Sequence, residues 1–269
     1  MVQLNFPDYS ASSEDAPMTM LVGLVGKDGW VIGADRRQRD ASAGITPVIA
    51  TSSATDKIAL DPNSGMVYAS AGDNLARMTG DEIVQLFSQG ELPMDDRRGE
   101  ALRLYLKEVG DRMWEQQSSD SPGSYSADNF SRGLLLGFQA FPKGMLCLSI
   151  GRHSDAEWMR FGARTFGDTG NGAKYFLCRY FESFCSEQDK LIVLTAHVIA
   201  QASKLNPIGV GDGLDIVVCH SRNDGWEIEP ISEVEITDAL ARSRILDELI
   251  EVTFLDQLTG FRNITRTEK

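Results

Sequence analysis

The sequence has few of the residues that build metal centres and disulfide frameworks. Its 269 residues include four cysteines and three histidines. The cysteines form no CxxC pair, which indicates buried, reduced thiols rather than a zinc site or a disulfide scaffold. The histidines have no carboxylate pattern beside them, which favours packing or surface roles. We therefore expect no metal and no cofactor. The residues concerned are Cys147, Cys178, Cys185, Cys219, His153, His197 and His220.

Positive charge and long apolar runs are also scarce. The chain has 26 basic against 39 acidic residues, a formal net charge of −13. This negative charge disfavours nucleic acid and anionic lipid as partners. No apolar run approaches the ~20 residues that a membrane-spanning helix needs, and residues 1–17 lack the basic start and apolar core of a secretory signal. We expect a cytoplasmic protein that binds neither nucleic acid nor membranes.

The length and the apolar content, 42% of residues, suit one large domain. We expect residues 19–269 to form that single domain, with a C-terminal helix. Residues 1–18 are then a leader or propeptide, or the product of a misassigned start.

Apolar spacing and turn residues predict the order of secondary structure. Hairpins are predicted at 19–34 and 57–70, around the turns at 27–29 and 61–65. The predicted helices are 74–87, 101–113, 173–184, 188–203 and 236–258. The predicted later strands are 133–140, 144–150, 157–162, 214–220 and 226–228, with a loop at 117–129. This order predicts an α+β domain in which two sheets lie between helix pairs.

Three residues near the start of these hairpins form a recognisable combination. Thr19 opens the first strand, Asp35 follows sixteen positions later in the sequence Gly-Ala-Asp-Arg, and Lys57 precedes Ile58 at the start of the second hairpin. The combination resembles the opening of proteasome β-type subunits and bacterial proteasome-like proteins, which are N-terminal-nucleophile (Ntn) hydrolases. Weaker matches at 69–73, 168–172 and 213–218 extend the resemblance over roughly residues 19–231.

The resemblance implies a four-layer αββα Ntn-hydrolase sandwich and a threonine-type peptidase. A Thr hydroxyl is a weak nucleophile, and the free amine of an N-terminal Thr19 would be its base. The Lys57 ammonium would lower the pKa of that amine, and Asp35 would hold Lys57 by a charge-assisted hydrogen bond. The oxyanion would bind a backbone N–H at the end of the 66–70 strand, at Ser70 or Gly72.

Two positions depart from the family pattern. Asn171 stands where active members carry a supporting Ser, and residues 206–209 (Asn-Pro-Ile-Gly) stand where they carry Asp-x-x-Ser. Asn171 can still donate a hydrogen bond, but the Asp is absent. Two alternatives therefore stay open: a catalytically inert ring subunit, and a small-molecule amidase on the same fold.

The residue before Thr19 is Met18, where processed members of the family place Gly. Translation starting at Met18, followed by removal of that Met, would expose Thr19 without a propeptide. The resemblance also implies a homo-oligomeric ring, peptide or unfolded-protein substrates, and an ATP-dependent unfoldase as a further partner. Arg36 and Arg37 are expected to be surface or subunit-contact residues rather than substrate ligands.

Overall fold

A computed structural model describes residues 20–36, 57–61, 65–72, 74–120, 132–167, 181, 187–205, 210–211, 213–222 and 225–245. The strands are β1 (Met20–Val25), β2 (Gly29–Asp35), β3 (Ile58–Asp61), β4 (Met66–Ala71), β5 (Gly133–Phe138), β6 (Met145–Ser149), β7 (Asp155–Met159), β8 (Gly162–Gly167), β9 (Leu214–Arg222) and β10 (Gly225–Pro230). The helices are α1 (Asn74–Ser88), α2 (Glu100–Asp120) and α3 (Gln188–Leu205), and the described part of a further helix covers residues 233–245.

The strands form two antiparallel sheets, which confirms the predicted α+β class. Sheet A has the order β10-β9-β2-β1-β8, and sheet B has the order β3-β4-β5-β6-β7. β1 and β2 are buried along their whole length. Their nearly continuous apolar sequences suit this position, because strands with both faces covered do not alternate between apolar and polar residues.

Helix α3 packs against one face of sheet A, over the strand that ends at Asp35. Met20, Val22 and Leu24 of β1 belong to the same apolar cluster as the buried face of α3. The approach is close at Gly33, where a Cβ atom would lie 2.3 Å from the Thr195 methyl group. Only glycine therefore allows α3 to lie this near to β2.

The other face of sheet A meets sheet B. Leu21 and Trp30 share an apolar cluster with Val67 and Leu135 of sheet B. Trp30 is fully buried, and a Cβ atom at Gly137 would lie 2.4 Å from its ring. The indole of one sheet thus fills the space that the missing side chain leaves in the other.

Helices α1 and α2 cover the opposite face of sheet B. Leu75 and Ile83 of α1, and Leu102 and Leu106 of α2, pack in one cluster with Leu136 of β5. The apolar residues of α1 recur at the three- and four-residue spacing of an amphipathic helix, as the sequence predicts. In the part of the chain that the structure describes, no helix combines the length and the apolar character needed to cross a membrane.

The predicted hairpins are confirmed, and the predicted helices at 74–87 and 188–203 are confirmed to within two residues at each end. The helix predicted at 101–113 is also present, but it continues to Asp120, seven residues beyond its predicted end. The loop predicted at 117–129 is wrong for residues 117–120, which continue α2. There the Ser118 and Ser119 hydroxyls donate to the Glu115 carbonyl, which gives both polar side chains a partner within the helix. Most of the predicted 173–184 helix, and the predicted helix beyond residue 245, lie outside the described residues.

Strand β8 was missed by the sequence pattern. It has the sequence Gly-Ala-Arg-Thr-Phe-Gly, in which Phe166 alone is buried, so no apolar alternation marks it. It becomes a strand by pairing along all of β1, from Met20 opposite Gly167 to Val25 opposite Gly162. The strand predicted at 157–162 lies earlier, at Asp155–Met159.

Candidate active site

Asp35 and Lys57 form a buried ion pair between the two sheets' leading hairpins. The Lys57 Nζ lies 2.8 Å from the Asp35 Oδ1. The Asp35 side chain is fully buried and that of Lys57 is 9% exposed. Charges removed from water in this way are tolerated only when they are paired and hydrogen-bonded. The structure therefore brings together two of the residues that the sequence assigns to catalysis.

Backbone groups hold the remaining positions around the Asp35 carboxylate. The Met20 N–H donates to Oδ1 at 2.7 Å, and the Gly211 N–H donates to Oδ2 at 2.9 Å. With Lys57, both oxygens thus accept hydrogen bonds from separate parts of the chain. Donors from several directions leave the carboxylate one orientation, which a positioning carboxylate requires.

The register of the first hairpin explains the contact between Met20 and Asp35. Leu21 pairs with Ala34 and Val25 with Trp30, around a turn closed by a Gly26 N–H to Gly29 carbonyl hydrogen bond of 2.9 Å. The next position along the ladder sets Met20 beside Asp35. A local spacing in the sequence therefore fixes this part of the site.

The two residues predicted to offer an oxyanion N–H differ in their surroundings. The Ser70 N–H donates to the Lys57 carbonyl at 3.1 Å, which extends the pairing of β3 with β4. Gly72 follows the end of β4 with a φ of +111°, and its N–H donates to no backbone carbonyl among the described residues. Of the two N–H groups, only that of Ser70 is already bound to the carbonyl of a described residue.

Other predicted site residues lie outside the described residues. These are Thr19 and Asn171; Arg37 and residues 206–209 also lie outside the described residues. Thr19 precedes Met20, so its carbonyl carbon is bonded to the Met20 nitrogen. The peptide bond, about 1.33 Å long, ties Thr19 to the anchored Met20 amide.

The sequence did not single out Gly211 or the backbone N–H of Met20. Gly211 lies in the stretch Gly-Val-Gly-Asp-Gly at 209–213. Such a glycine-rich segment before a strand indicates a close approach of backbone to another group. It could have suggested a backbone ligand, but not which side chain that backbone would bind.

Arg36 lies at the surface, as the sequence predicts, and its side chain contacts residues of its own chain. Its Nε donates to the Asp215 Oδ1 at 2.8 Å, and its Nη2 also binds Glu233. The hydrogen bond to Asp215, followed by that to Glu233, raises the pKa of Arg36 above its ordinary value. The partners of Arg36 are therefore the start of β9 and the start of the 233–245 helix.

The predicted packing or surface roles fit His153, His197 and the two described cysteines, but His220 lies beside two glutamates, contrary to the sequence expectation. His197 is buried and its Nδ1 lies 3.0 Å from the Ser243 Oγ, while His153 is exposed. Cys147 and Cys219 are buried and free, and burial raises the pKa of each thiol to about 12. These thiols are neutral near pH 7 and are poor nucleophiles.

One cluster within the described residues combines three groups that could bind a metal. His220, Glu227 and Glu229 bring their ligand atoms within 4.8 Å of one another on β9 and β10. The Arg222 guanidinium contacts all three: Nε is 3.1 Å from His220, Nη1 is 2.9 Å from Glu227, and Nη2 is 2.6 Å from Glu229. A cation is thus supplied by the chain itself, and the cluster reads as an ion-pair network.

An open groove of about 590 Å³ lies between the start of α2 and β7. Its walls include Arg98, Arg103, Trp158 and Arg160. Trp158 Nε1 donates to the Gly99 carbonyl at 2.6 Å, which joins the two walls. The groove contains neither Asp35 nor Lys57, so it is separate from the candidate active site.

No protein-family model and no curated protein matches this chain. The functional interpretation therefore rests on the residues around Asp35.

Proposed function

We propose that this protein is a threonine-type peptidase of the proteasome-like Ntn-hydrolase family, with Thr19 as its nucleophile. The supporting observation is that the Asp35 Oδ1 accepts from both the Met20 N–H and the Lys57 ammonium. The residue joined to the Met20 nitrogen is Thr19. A nucleophile there would be tethered beside the ion pair that the mechanism needs.

The proposed reaction begins with proton transfer from the Thr19 hydroxyl to the Thr19 amine, which is the general base. The hydroxyl oxygen attacks the substrate carbonyl carbon, and the Gly72 N–H donates to the resulting oxyanion. The C–N bond then breaks, and the leaving amine takes the proton. Water hydrolyses the Thr19 ester in a second step, which releases the acid and restores the hydroxyl.

Lys57 and Asp35 have electrostatic roles in this scheme. The Lys57 ammonium favours the neutral, proton-accepting form of the amine because a second positive charge nearby is unfavourable. Asp35 keeps the ammonium in place, 2.8 Å away, and offsets its burial. The mechanism therefore requires that both charges are retained.

Packing supports the proposal that the domain is a four-layer αββα sandwich. The sheets meet through the Trp30 cluster, while α3 packs on sheet A and α1 and α2 on sheet B. In this family such domains assemble into rings that enclose peptide substrates. We extend this to a homo-oligomeric ring acting on peptides or unfolded proteins.

The proposal requires a free amine on Thr19, which means that the Met18–Thr19 bond must be absent in the active protein. In protein isolated from its native host, we expect an intact mass that begins at Thr19. A mature chain that retains Met18 leaves no general base and contradicts the proposal.

The decisive test uses protein in which Thr19 is made the first residue, by cleavage of an N-terminal fusion. The reagent is a peptide epoxyketone, which reacts with a hydroxyl and an adjacent primary amine together. We expect one covalent adduct at Thr19, detected by intact mass and peptide mapping. Lys57→Ala should slow its formation by about a hundredfold or more, while Lys27→Ala, at an exposed lysine in the first turn, should leave the rate unchanged.

Three outcomes separate the alternatives. An adduct that persists in Thr19→Ala rules out the assigned nucleophile. The absence of any adduct in the folded, Thr19-first protein favours the inert ring subunit. Turnover of small amides without turnover of peptides, by a protein that is not a closed ring, favours the amidase.

A further inference from the structure

We propose that Arg36 is a positioning residue for the candidate active site, which it serves by keeping the Gly211 N–H on the Asp35 carboxylate. This inference rests on the proposed function, because its importance for reactivity depends on Asp35 acting in catalysis. Arg36 itself touches none of the proposed reacting groups among the described residues. It acts through its neighbours.

Two consecutive residues at the end of β2 bind the chain that leads into β9. The Asp35 Oδ2 accepts from the Gly211 N–H at 2.9 Å. The Arg36 N–H donates to the Gly213 carbonyl at 3.1 Å. The backbone that orients the carboxylate is therefore held again two residues after its hydrogen bond to Asp35.

The Arg36 side chain extends this attachment to Asp215, the second residue of β9. Its Nε and Nη2 each lie 2.8 Å from the Asp215 Oδ1. Its stem covers Gly213, where a Cβ atom would lie 3.3 Å from the Arg36 Cδ and where φ is +96°. A residue other than glycine would be strained there, and the Arg36 stem would have to shift slightly to make room for it.

Glu233, the second carboxylate that Arg36 binds, lies at the start of a helix whose backbone is itself hydrogen-bonded. The Ile231 N–H donates to the Ile216 carbonyl at 2.9 Å, next to Asp215 on β9. The helix that Glu233 begins is capped by Ser232, whose backbone N–H and hydroxyl both donate to the Glu235 carboxylate. Arg36 therefore joins β2, β9 and an ordered helix start.

These ion pairs are too exposed to stabilise the fold strongly. The side chains of Arg36, Asp215 and Glu233 are 39%, 35% and 69% exposed, and solvent screens such pairs. A guanidinium nevertheless fixes direction, because its planar donors must point at their acceptors. We therefore expect removal of Arg36 to change geometry and rate more than stability.

The experiment compares Arg36→Met with Arg222→Met in the Thr19-first protein. Arg222 is the matched control because it is also a sheet A arginine that binds two carboxylates, at the far end of β9. Hydrogen exchange of the peptide containing Gly211 reports the hydrogen bond to Asp35 directly. Epoxyketone labelling reports the maximal rate and the half-saturating reagent concentration separately.

With Arg36→Met, we expect faster exchange at Gly211 and a maximal labelling rate lower by about tenfold to a hundredfold. The half-saturating concentration should stay within about twofold, since reagent binding is not the affected step. Arg36→Lys should give an intermediate rate, because an ammonium cannot bind both carboxylates with a planar fork. Arg222→Met should change neither readout.

Unchanged exchange at Gly211 in Arg36→Met would overturn the inference. So would faster exchange accompanied by an unchanged labelling rate. If the Thr19-first parent protein is never labelled, the proposed function fails and with it the catalytic importance of Arg36, while the exchange readout still decides whether Arg36 holds Gly211.

Discussion

The backbone N–H of Met20 and the ammonium of Lys57 donate to the same oxygen of Asp35, at 2.7 and 2.8 Å. One carboxylate oxygen thus joins the start of β1, the end of β2 and the residue before β3. Asp35 is at once a structural junction of the two hairpins and the central group of the proposed active site. Substitutions there should affect stability and reactivity together.

Asp35→Asn should lower the free energy of unfolding by about 3 kcal/mol or more, because it leaves the Lys57 charge buried without its carboxylate. Urea unfolding measures the loss. Asp28→Asn, in the exposed turn of the same hairpin, is the control and should change stability by less than about 0.5 kcal/mol. Equal costs for the two variants would contradict the buried ion pair.

A double-mutant cycle should show that part of the cost of losing Asp35 comes from leaving the Lys57 charge buried without its carboxylate. Combining Asp35→Asn with Lys57→Met removes both charges. The double variant should therefore lose less free energy of unfolding than the two single variants lose together, by about 1 kcal/mol or more. Urea unfolding of the four proteins measures the coupling. Strict additivity would mean that the two groups do not interact appreciably.

Gly72→Ala should be costly for two separable reasons. A Cβ atom at residue 72 meets the Arg132 Cγ at 2.9 Å, and the φ of +111° is strained for alanine. Gly90→Ala is the control, because its φ of +72° is also positive but no atom lies within 4 Å of the added Cβ. We expect Gly90→Ala to cost about 1 kcal/mol and Gly72→Ala to cost more, by thermal or urea unfolding.

Gly72→Ala, with Gly90→Ala as its control, also tests the proposed oxyanion donor. In the Thr19-first protein, a displaced Gly72 N–H should reduce the epoxyketone labelling rate by about a hundredfold. Gly90→Ala should leave that rate unchanged. A Gly72→Ala protein that remains folded and is labelled at the parental rate would remove Gly72 from the mechanism.

Gly137→Ala should destabilise the contact between the sheets. The added methyl would lie 2.4 Å from the Trp30 ring, which has no room to move in a core of buried side chains. We expect a loss of about 1–3 kcal/mol. Gly151→Ala, where no atom lies within 4 Å of the added Cβ, should cost little, and equal losses would argue against the packing of Trp30 on Gly137.

The buried thiols predict a loss of stability at high pH. Burial raises the pKa of Cys219 in the folded protein to about 12, while an unfolded thiol has a pKa of about 8.5. Below pH 8 the thiol is neutral in both states and has no effect on the pH dependence. At a pH between the unfolded and folded pKa values, only the unfolded state loses the proton. The free energy of unfolding therefore falls as pH rises, by roughly 1.4 kcal/mol per pH unit.

Urea unfolding of wild type and Cys219→Ala between pH 7 and 10.5 measures this effect. The difference in stability between the two proteins should be constant up to about pH 8 and then shrink. In the native protein the Cys147 and Cys219 thiols should also resist an aromatic disulfide reagent at pH 8 and react on unfolding. Rapid reaction of either thiol in folded protein would contradict its burial.

The sequence by itself determined the parts of the protein that depend on local spacing. Turn residues and apolar periodicity predict the first two hairpins and helices α1, α2 and α3. The length of the first hairpin also sets Met20 opposite Asp35, since the register follows from the position of the turn. The pairing of Asp35 with Lys57 came from the family resemblance and agrees with the observed geometry.

Only the tertiary structure decided the contacts between distant segments. Strand β8 has too little apolar pattern to be recognised and exists because β1 offers it an edge to pair with. The Gly211 N–H reaches Asp35 across 176 positions of sequence, and Arg36 reaches Glu233 across 197. No spacing rule encodes these hydrogen bonds, because they form only when β2, β9 and the 233–245 helix pack together.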